Sequence, residues 1–181
     1  MDILSTLSNY DVQLERLTES KLELVRSWRN DPEVSQFMLS QNYITQEQQL
    51  KWFNKINNDN NLYYLVLYRG EYIGLVDMND IDYDNKCGEN GFYIALKKYQ
   101  NFGVLAFQVL YCLYDYWFGE MNMDYVISRI MHTNPRASRM AEYLGCVKYG
   151  DPTDTYQEYR LYKDNYFSNE NRKRLIRKYN K

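Results

Sequence analysis

The chain contains few of the residues that build metal sites or disulfide frameworks. Three of its 181 residues are cysteine (Cys87, Cys112 and Cys146), and one is histidine, His132. No pair of these residues has the spacing of a metal site, so we predict that the protein holds no metal. Three widely spaced cysteines also give no disulfide framework, which favours a reducing compartment, the cytoplasm.

The sequence also predicts no export segment and no membrane segment, and it has little excess of charge of one sign. The N-terminus has neither a basic nor an apolar region, unlike a signal peptide. The longest apolar stretch, residues 104–118, is interrupted by Gln108 and Asp115 and is too short to span a bilayer. The 24 acidic and 22 basic residues give a net charge of −2, unlike a nucleic-acid-binding domain. We therefore predict neither a membrane nor a nucleic-acid partner.

The remaining composition is that of an ordinary globular protein, with 45% hydrophobic and 25% charged residues. No linker rich in proline or serine divides the chain, and no internal repeat is present. We therefore predict one domain over residues 1–181, with a core over residues 12–162 and a basic tail over residues 163–181. Leu175 and Ile176 interrupt the basic residues of the tail, which favours a solvated terminal helix over an RNA-binding arm.

The order of hydrophobic patterns predicts an α/β fold. Helix starts are marked by the capping pairs Ser20–Glu23 and Thr45–Gln48 and by Pro32 and Asn134, and helix ends by Gly119 and Gly145. Residues 12–17, 62–68, 72–78, 89–94, 125–130, 146–149 and 156–162 have the composition of strands. Helices that return between strands favour a mixed sheet with helices on its faces.

One predicted strand-to-helix junction has the features of an anion site. Gly103 stands where the chain turns from the strand over residues 89–94 into the helix over residues 104–118. The free N–H groups and the positive dipole end of a helix N-terminus attract a phosphate, and Lys97 and Lys98 add positive charge. The alternative is a plain loop with solvated lysines, because a single glycine is a weak match to a phosphate loop.

Two motifs lie at corresponding places, residues 100–105 before one helix and residues 134–146 over another. They resemble the cofactor loop and the later motif of the GNAT N-acetyltransferases, which bind acetyl-coenzyme A (acetyl-CoA). Residues 28–34 and 45–53 resemble one branch, which contains the ribosomal-protein N-terminal acetyltransferases and the acetyltransferases of nucleotide-linked amino sugars, as in pseudaminic acid synthesis. The resemblance covers residues 12–162. It implies a GNAT-like mixed, mostly antiparallel central sheet flanked by helices.

The resemblance also implies a reaction. Acetyl passes from acetyl-CoA to a primary amine by direct attack in a ternary complex, and Glu89 is the candidate base for the proton of the amine. The alternative for Glu89 is a surface acid at a strand edge. Backbone N–H groups near Ile94 and Leu96 would polarise the thioester carbonyl. The implied cofactor-binding residues are Ile94, Ala95, Leu96, Gln100, Asn101, Phe102, Gly103, Val104, Leu105 and Asn134.

The acceptor side is formed, by the same resemblance, by the two N-terminal helical segments. The candidate acceptor-binding residues there are Trp28, Arg29, Asn30, Tyr43 and Trp52. Their aromatic side chains can stack on a base or a sugar ring, and Arg29 can hold a phosphate or a carboxylate. Core packing is the alternative for Trp28, and Arg29 and Asn30 can equally pin a helix end.

The chain departs from the family pattern at two positions. Leu105 stands where the family prefers glycine or alanine, so its side chain either crowds the pyrophosphate or points into the core. Ala141 stands where many members have the tyrosine that protonates the departing thiolate. Tyr143, two residues later on the helix, should face away, so water or another tyrosine would supply that proton.

Among possible acceptors, the sequence features favour a nucleotide-linked amino sugar. The aromatic and Arg-Asn cluster suits such a ligand, and an acidic net charge does not favour a polycationic target. Two alternatives stay open: a protein N-terminal amine, or a degenerate domain that binds coenzyme A or a partner without turnover. The oligomeric state, including a homodimer, is also open.

Overall fold

The computed structural model describes residues 3–101 and 103–179, and within them eight strands form one sheet in the order β1-β2-β3-β4-β5-β6-β8-β7. The strands are β1 (Thr6–Asn9), β2 (Val12–Arg16), β3 (Leu62–Tyr68), β4 (Glu71–Asp82), β5 (Cys87–Ile94), β6 (Tyr125–Met131), β7 (Val147–Tyr149) and β8 (Tyr156–Tyr162). The helices are α1 (Leu22–Arg29), α2 (Pro32–Ser35), α3 (Gln46–Ile56), α4 (Lys97–Gln100), α5 (Gly103–Asp115), α6 (Pro135–Leu144), α7 (Lys163–Ser168) and α8 (Glu170–Ile176).

Neighbouring strands of the sheet run antiparallel, except that β5 and β6 are parallel. The chain makes the parallel connection through α4 and α5, as a parallel pair requires a long crossover. The predicted mixed, mostly antiparallel sheet flanked by helices is confirmed. Among the described residues, none of the helices combines the length and apolar character needed to cross a bilayer.

The two faces of the sheet carry separate cores. Side chains alternate along a strand, so Leu75 of β4 packs with α1 and α3, while Val76 packs with α5. We call these the α1 face and the α5 face. The α5 face also carries α6, whose Leu144 is buried in the same cluster. Helices on both faces leave β3 and β4 buried on both sides, which explains their continuous apolar runs.

The two helix-start signals with a complete local pattern are confirmed. The Thr45 hydroxyl accepts from the Gln48 N–H at 3.2 Å, and the Gln48 side chain accepts from the Thr45 N–H at 2.8 Å. The Asn134 side chain accepts from the Ala137 N–H at 3.1 Å and begins α6. Gly145 ends α6 with φ 91°, a conformation that glycine adopts without strain.

Pro32 begins α2, as predicted. Two further helix signals were wrong. Ser20 and Glu23 form no capping box, because a 3₁₀ turn over Glu19–Lys21 precedes α1 and the Glu23 carboxylate pairs with Arg26 at 2.6 Å. Gly119 does not end a helix, because α5 continues into a π-helical segment over Tyr116–Glu120.

The basic tail is helical, as predicted, but it packs against the core and is not fully solvated. It forms α7 and α8, and Tyr166 of α7 is fully buried against α5. The Tyr166 hydroxyl donates to Asp115 at 2.6 Å, and Arg172 pairs with the same carboxylate at 2.6 Å. The sequence analysis also missed β1, which pairs with β2 and lies outside the predicted core.

Candidate active site

The strands β5 and β6 separate shortly after they begin. They pair over Cys87–Glu89 and Tyr125–Ile127, whereas β5 continues to Ile94 and β6 to Met131 without further pairing between them. The backbone groups that face this gap therefore remain available to a ligand.

A cavity of about 820 Å³ follows the gap from one face of the sheet to the other. On the α1 face its wall includes Arg29 and residues between 33 and 40, which belong to α2 and the loop after it. Residues 89–94 of β5 and 128–131 of β6 form the middle, and parts of α5 and α6 line the α5 face. This volume lies within the range of small-molecule sites, and two ligands can reach each other from opposite faces.

Glu89 lies on the wall where the two strands separate. Its carboxylate forms an ion pair with the Arg129 guanidinium on β6. Burial raises the pKa of Glu89 above its ordinary value, Arg129 acts in the opposite direction, and the charges of Asp80 and Glu158 raise the pKa further. A carboxylate with a raised pKa is a better proton acceptor, so this geometry suits the predicted base.

The backbone of Ile94 faces the gap. The Ala95 N–H donates to the Ile73 oxygen of β4 at 2.8 Å, and consecutive residues of a strand point their backbone groups to opposite sides. The Ile94 oxygen accepts from the Gln100 side chain at 3.1 Å on that other side. The Leu96 N–H already donates to the Ile73 oxygen at 3.3 Å. The Ile94 N–H is therefore the better donor to a thioester carbonyl.

The N-terminus of α5 has open space for a ligand. A Cβ added at Gly103 would meet no atom within 4 Å beyond its chain neighbours and the backbone of its own helix, and Ala106 in the first turn lies on the cavity wall. Leu105 is 1% exposed and packs in the core of the α5 face, so it leaves the space beside the helix terminus free. Val104 is exposed. Phe102 lies outside the described residues.

The cations near this helix differ from those we expected. Lys97 and Lys98 pair with Glu33 at 3.4 Å and Glu71 at 2.7 Å, and neither lysine lies on the wall. Instead, the Arg136 guanidinium of α6 lies there and donates to the Gln100 backbone oxygen. No local pattern pointed to Arg136, because α6 brings it to the loop from 36 residues further along the chain.

Three of the predicted cofactor-binding residues lie on the cavity wall, namely Ile94, Gln100 and Asn134. The other described candidates do not form part of the wall, and these are Ala95, Leu96, Asn101, Gly103, Val104 and Leu105. Gly103 and Asn101 nevertheless belong to the turn beside it. The cofactor roles of these residues remain predictions.

Of the five predicted acceptor-binding residues, Arg29 lies on the wall. Its Nη2 donates to the Ser40 oxygen at 3.4 Å and thereby contacts the loop after α2. The Asn30 amide holds the same loop further along, because it donates to the Ile44 oxygen at 2.9 Å and accepts from the Ile44 N–H at 2.8 Å. This structural use of Asn30 is the alternative that the sequence left open.

The three aromatic candidates lie off the wall. Trp28 is buried in the core of the α1 face and packs edge-on against Tyr93. Trp52 packs against Tyr63, with ring centres 5.0 Å apart. Tyr43 is exposed. An exposed aromatic side chain does line the cavity mouth, namely Phe37 of the loop after α2, which the sequence analysis missed.

The resemblance implies an acid tyrosine at the position of Ala141, and this position lies on the cavity wall. The side chain of Ala141 has no proton to donate to the thiolate. Tyr143 packs against Phe107 away from the wall, as predicted. Tyr114 of α5 does line the cavity, and its hydroxyl donates to the Asn90 side chain at 2.9 Å. Burial raises the pKa of Tyr114 well above its ordinary value, so it keeps its proton at neutral pH. Sequence reasoning missed Tyr114, because its neighbours in the sequence are apolar and do not indicate that it lines a cavity.

Two curated relatives are both named Acetyltransferase PseH and come from Campylobacter jejuni subsp. jejuni. The chain is 33% identical to the protein of strain 81-176 over 86 residues, which are 45% of this chain and about half (53%) of the relative. It is 25% identical to the protein of serotype O:2 over 141 residues, or 77% of this chain and 85% of that relative. These relatives agree with the branch that the sequence resembles.

Solved structures show the same fold. A spermidine N-acetyltransferase from Vibrio cholerae, in complex with CoA and spermine, has a TM-score of 0.80 at 19% identity and covers 88% of this chain and 100% of its own. A dodecameric structure of spermidine N-acetyltransferase from the same organism has a TM-score of 0.74 at 18% identity, with coverage of 90% and 99%.

The family model described as an acetyltransferase (GNAT) domain matches residues 11–147, which is most of the chain. GNAT acetyltransferases use acetyl-CoA, so the predicted enzyme class and co-substrate are those of this family. The open α5 terminus at Gly103 and the gap between β5 and β6 fit such a co-substrate. The chain belongs to the GNAT acetyltransferase family.

Proposed function

We propose that this protein transfers the acetyl group of acetyl-CoA to the primary amine of a nucleotide-linked amino sugar. The observation that carries the proposal is the cavity through the gap between β5 and β6. A thioester that enters from the α5 face and an amine that enters from the α1 face would meet beside Glu89. Such an arrangement brings two reactants together without a covalent enzyme intermediate.

The α5 face suits the donor. The N–H groups at the start of α5 and the Arg136 guanidinium would hold the diphosphate of acetyl-CoA, since both attract anions. The backbone of β5 up to Ile94 and the side chain of Asn134 would contact the pantetheine arm along the gap. The Ile94 N–H would donate to the thioester oxygen as negative charge develops there.

Glu89 would accept a proton from the ammonium form of the acceptor, directly or through a water molecule. The amine nitrogen then forms a bond to the carbonyl carbon, and the bond from that carbon to sulfur breaks. As the amide forms, the nitrogen loses its second proton and the departing thiolate gains one, relayed between them by water or by the hydroxyl of Tyr114, which lines the same cavity. Three products balance the step, namely the amide, CoA and the proton transferred to Glu89.

Three observations support a nucleotide-linked acceptor. Arg29 and Arg129 both lie on the wall and carry the positive charge that a diphosphate needs. Phe37, 44% exposed at the cavity mouth, offers a surface for a base. The two relatives named Acetyltransferase PseH belong with the branch that the sequence resembles.

The test is thiol release from acetyl-CoA with three acceptors, namely UDP-glucosamine, a tetrapeptide with a free N-terminus, and spermidine. We expect the highest kcat/KM with UDP-glucosamine, and the Glu89→Gln variant serves as the control for uncatalysed release. A higher kcat/KM for the peptide or for spermidine would assign a different acceptor. Binding of acetyl-CoA without thiol release from any amine would identify a non-catalytic domain.

A further inference from the structure

Arg129 lies on β6 directly beside Glu89, the proposed base. Glu89 is the cross-strand partner of Ile127, and Arg129 follows two residues later on β6, so its side chain projects from the same face as that of Glu89. The Arg129 guanidinium pairs with Glu89, and its side chain is 38% exposed while that of Glu89 is 19% exposed. A cation is thus fixed at the point where an acceptor amine must arrive.

The hydrogen-bonding capacity of Arg129 exceeds what Glu89 uses. A guanidinium has five N–H donors in a planar fork, and one nitrogen, Nη1, donates to Glu89. Arg129 forms part of the cavity wall, on the side that also contains Arg29. The guanidinium carbon also lies 5.9 Å from the centre of the Tyr156 ring. The described hydrogen bonds of Arg129 use only part of its fork, whose shape matches a phosphate, so an anion in the cavity can accept from the rest.

We propose that Arg129 determines acceptor specificity by holding a phosphate group of the acceptor beside Glu89, which rests on the function proposed above. The same guanidinium disfavours polycationic acceptors, because a like charge beside the reaction site repels them. Arg129 thus links two requirements of the reaction, since one side chain orients both the base and the anionic part of the acceptor.

Binding of UDP, measured by calorimetry on the full chain, tests Arg129 without any need for turnover. We expect the Arg129→Gln variant to bind UDP roughly 10- to 100-fold more weakly than the wild type, as for the loss of a charge-assisted hydrogen bond. Arg129→Lys should bind with intermediate affinity because it keeps the charge but loses the fork. Unchanged affinity in Arg129→Gln, or no UDP binding by the wild type at millimolar concentration, would overturn the proposal.

Arg160→Gln is the matched control. Arg160 lies on the neighbouring strand β8, pairs with Glu158 at 2.9 Å and is not part of the cavity wall. This variant should bind UDP as the wild type does. Equal weakening in Arg160→Gln and Arg129→Gln would indicate a general charge effect and would contradict a specific contact.

Turnover provides a second readout. In Arg129→Gln, kcat/KM should fall for UDP-glucosamine but not for spermidine, and an equal fall for both would contradict the proposal. The acid limb of the pH profile should move to higher pH, because the variant removes the cation that lowers the pKa of Glu89, while the charges of Asp80 on β4 and Glu158 on β8 remain. If the wild type released no thiol with any amine, the proposed function would fail, whereas the UDP measurement would still decide the role of Arg129.

Discussion

Glu89 is the residue whose protonation state sets the expected pH dependence of turnover. A base works in its deprotonated form, so kcat/KM should rise with pH through the pKa of Glu89 and level off above it. Burial raises that pKa, so the limb should lie above the range of an ordinary glutamate. Glu89→Gln should lose roughly 10²- to 10⁴-fold in turnover and lose the limb, with unchanged acetyl-CoA affinity.

Glu158→Gln is the control for that experiment. Glu158 lies on β8, pairs with Arg160 and does not line the cavity. Its charge raises the pKa of Glu89, so its loss should move the limb to lower pH but keep it, whereas Glu89→Gln abolishes the limb. An unaltered pH–rate profile in Glu89→Gln would exclude Glu89 as the base.

Asp77 of β4 is a buried acid whose effect should appear in stability. Its carboxyl group accepts from the Asn79 amide at 2.6 Å, and burial raises its pKa from 3.8 to about 7. Between these values the folded chain keeps a proton that the unfolded chain has released. The free energy of unfolding should therefore fall as pH rises to about 7, by about 1 kcal/mol per pH unit from this group alone.

Urea unfolding of the wild type and of Asp77→Asn at several pH values measures this effect. The asparagine variant keeps the shape but not the titration, so the wild type should lose stability relative to it as pH rises toward neutrality. A constant difference between the two proteins over that range would show that Asp77 titrates at its ordinary pKa in the folded state.

The site residues that could be predicted from the sequence are those in local motifs. Glu89, Gln100 and Asn134 stand at fixed distances from strand ends and helix starts, so the resemblance placed them on the cavity wall. Arg129 and Arg136 reach the wall through strand register and helix packing between distant segments. Aromatic residues were the least reliable guide to the acceptor site, because the same side chains are common in buried cores and in stacking on ligands.

Among the elements, the start of α5 offers a direct test of the cofactor loop. A methyl group added at Gly103 meets no atom within 4 Å beyond its chain neighbours and its own helix backbone, so Gly103→Ala should not lower the unfolding temperature. The same methyl group would occupy the space beside the helix terminus where we propose that the diphosphate binds. We expect a KM for acetyl-CoA that is raised by about tenfold, the equivalent of one lost hydrogen bond.

Gly119→Ala is the matched control for this substitution. It adds a methyl group that also meets no protein atom within 4 Å, and Gly119 lies in the π-helical segment away from the cavity wall. An equal change of KM in both variants would show that the start of α5 has no special role in donor binding.

Elements were predictable where the signal is short-range. Thr45 with Gln48 and Asn134 with Gly145 mark helix ends through bonds within a few residues, and both pairs were confirmed. The helical character of the tail was predictable but its packing was not, because the packing depends on Asp115, which lies about fifty residues earlier and anchors Tyr166 and Arg172. A basic composition alone does not indicate that a helix has such an anchor.

At the scale of the whole molecule, the cavity that joins the two faces of the sheet determines the expected kinetic mechanism. Cys146 lines the cavity, but burial raises the pKa of its thiol to about 12, so it is not a thiolate at neutral pH. A raised thiol pKa disfavours an acetyl-cysteine route and favours a mechanism in which both substrates are bound together. Initial rates at varied acetyl-CoA and acceptor concentrations should give intersecting lines in double-reciprocal plots, and Cys146→Ala should still turn over. Parallel lines, together with an acetylated protein when the acceptor is omitted, would instead indicate a ping-pong mechanism.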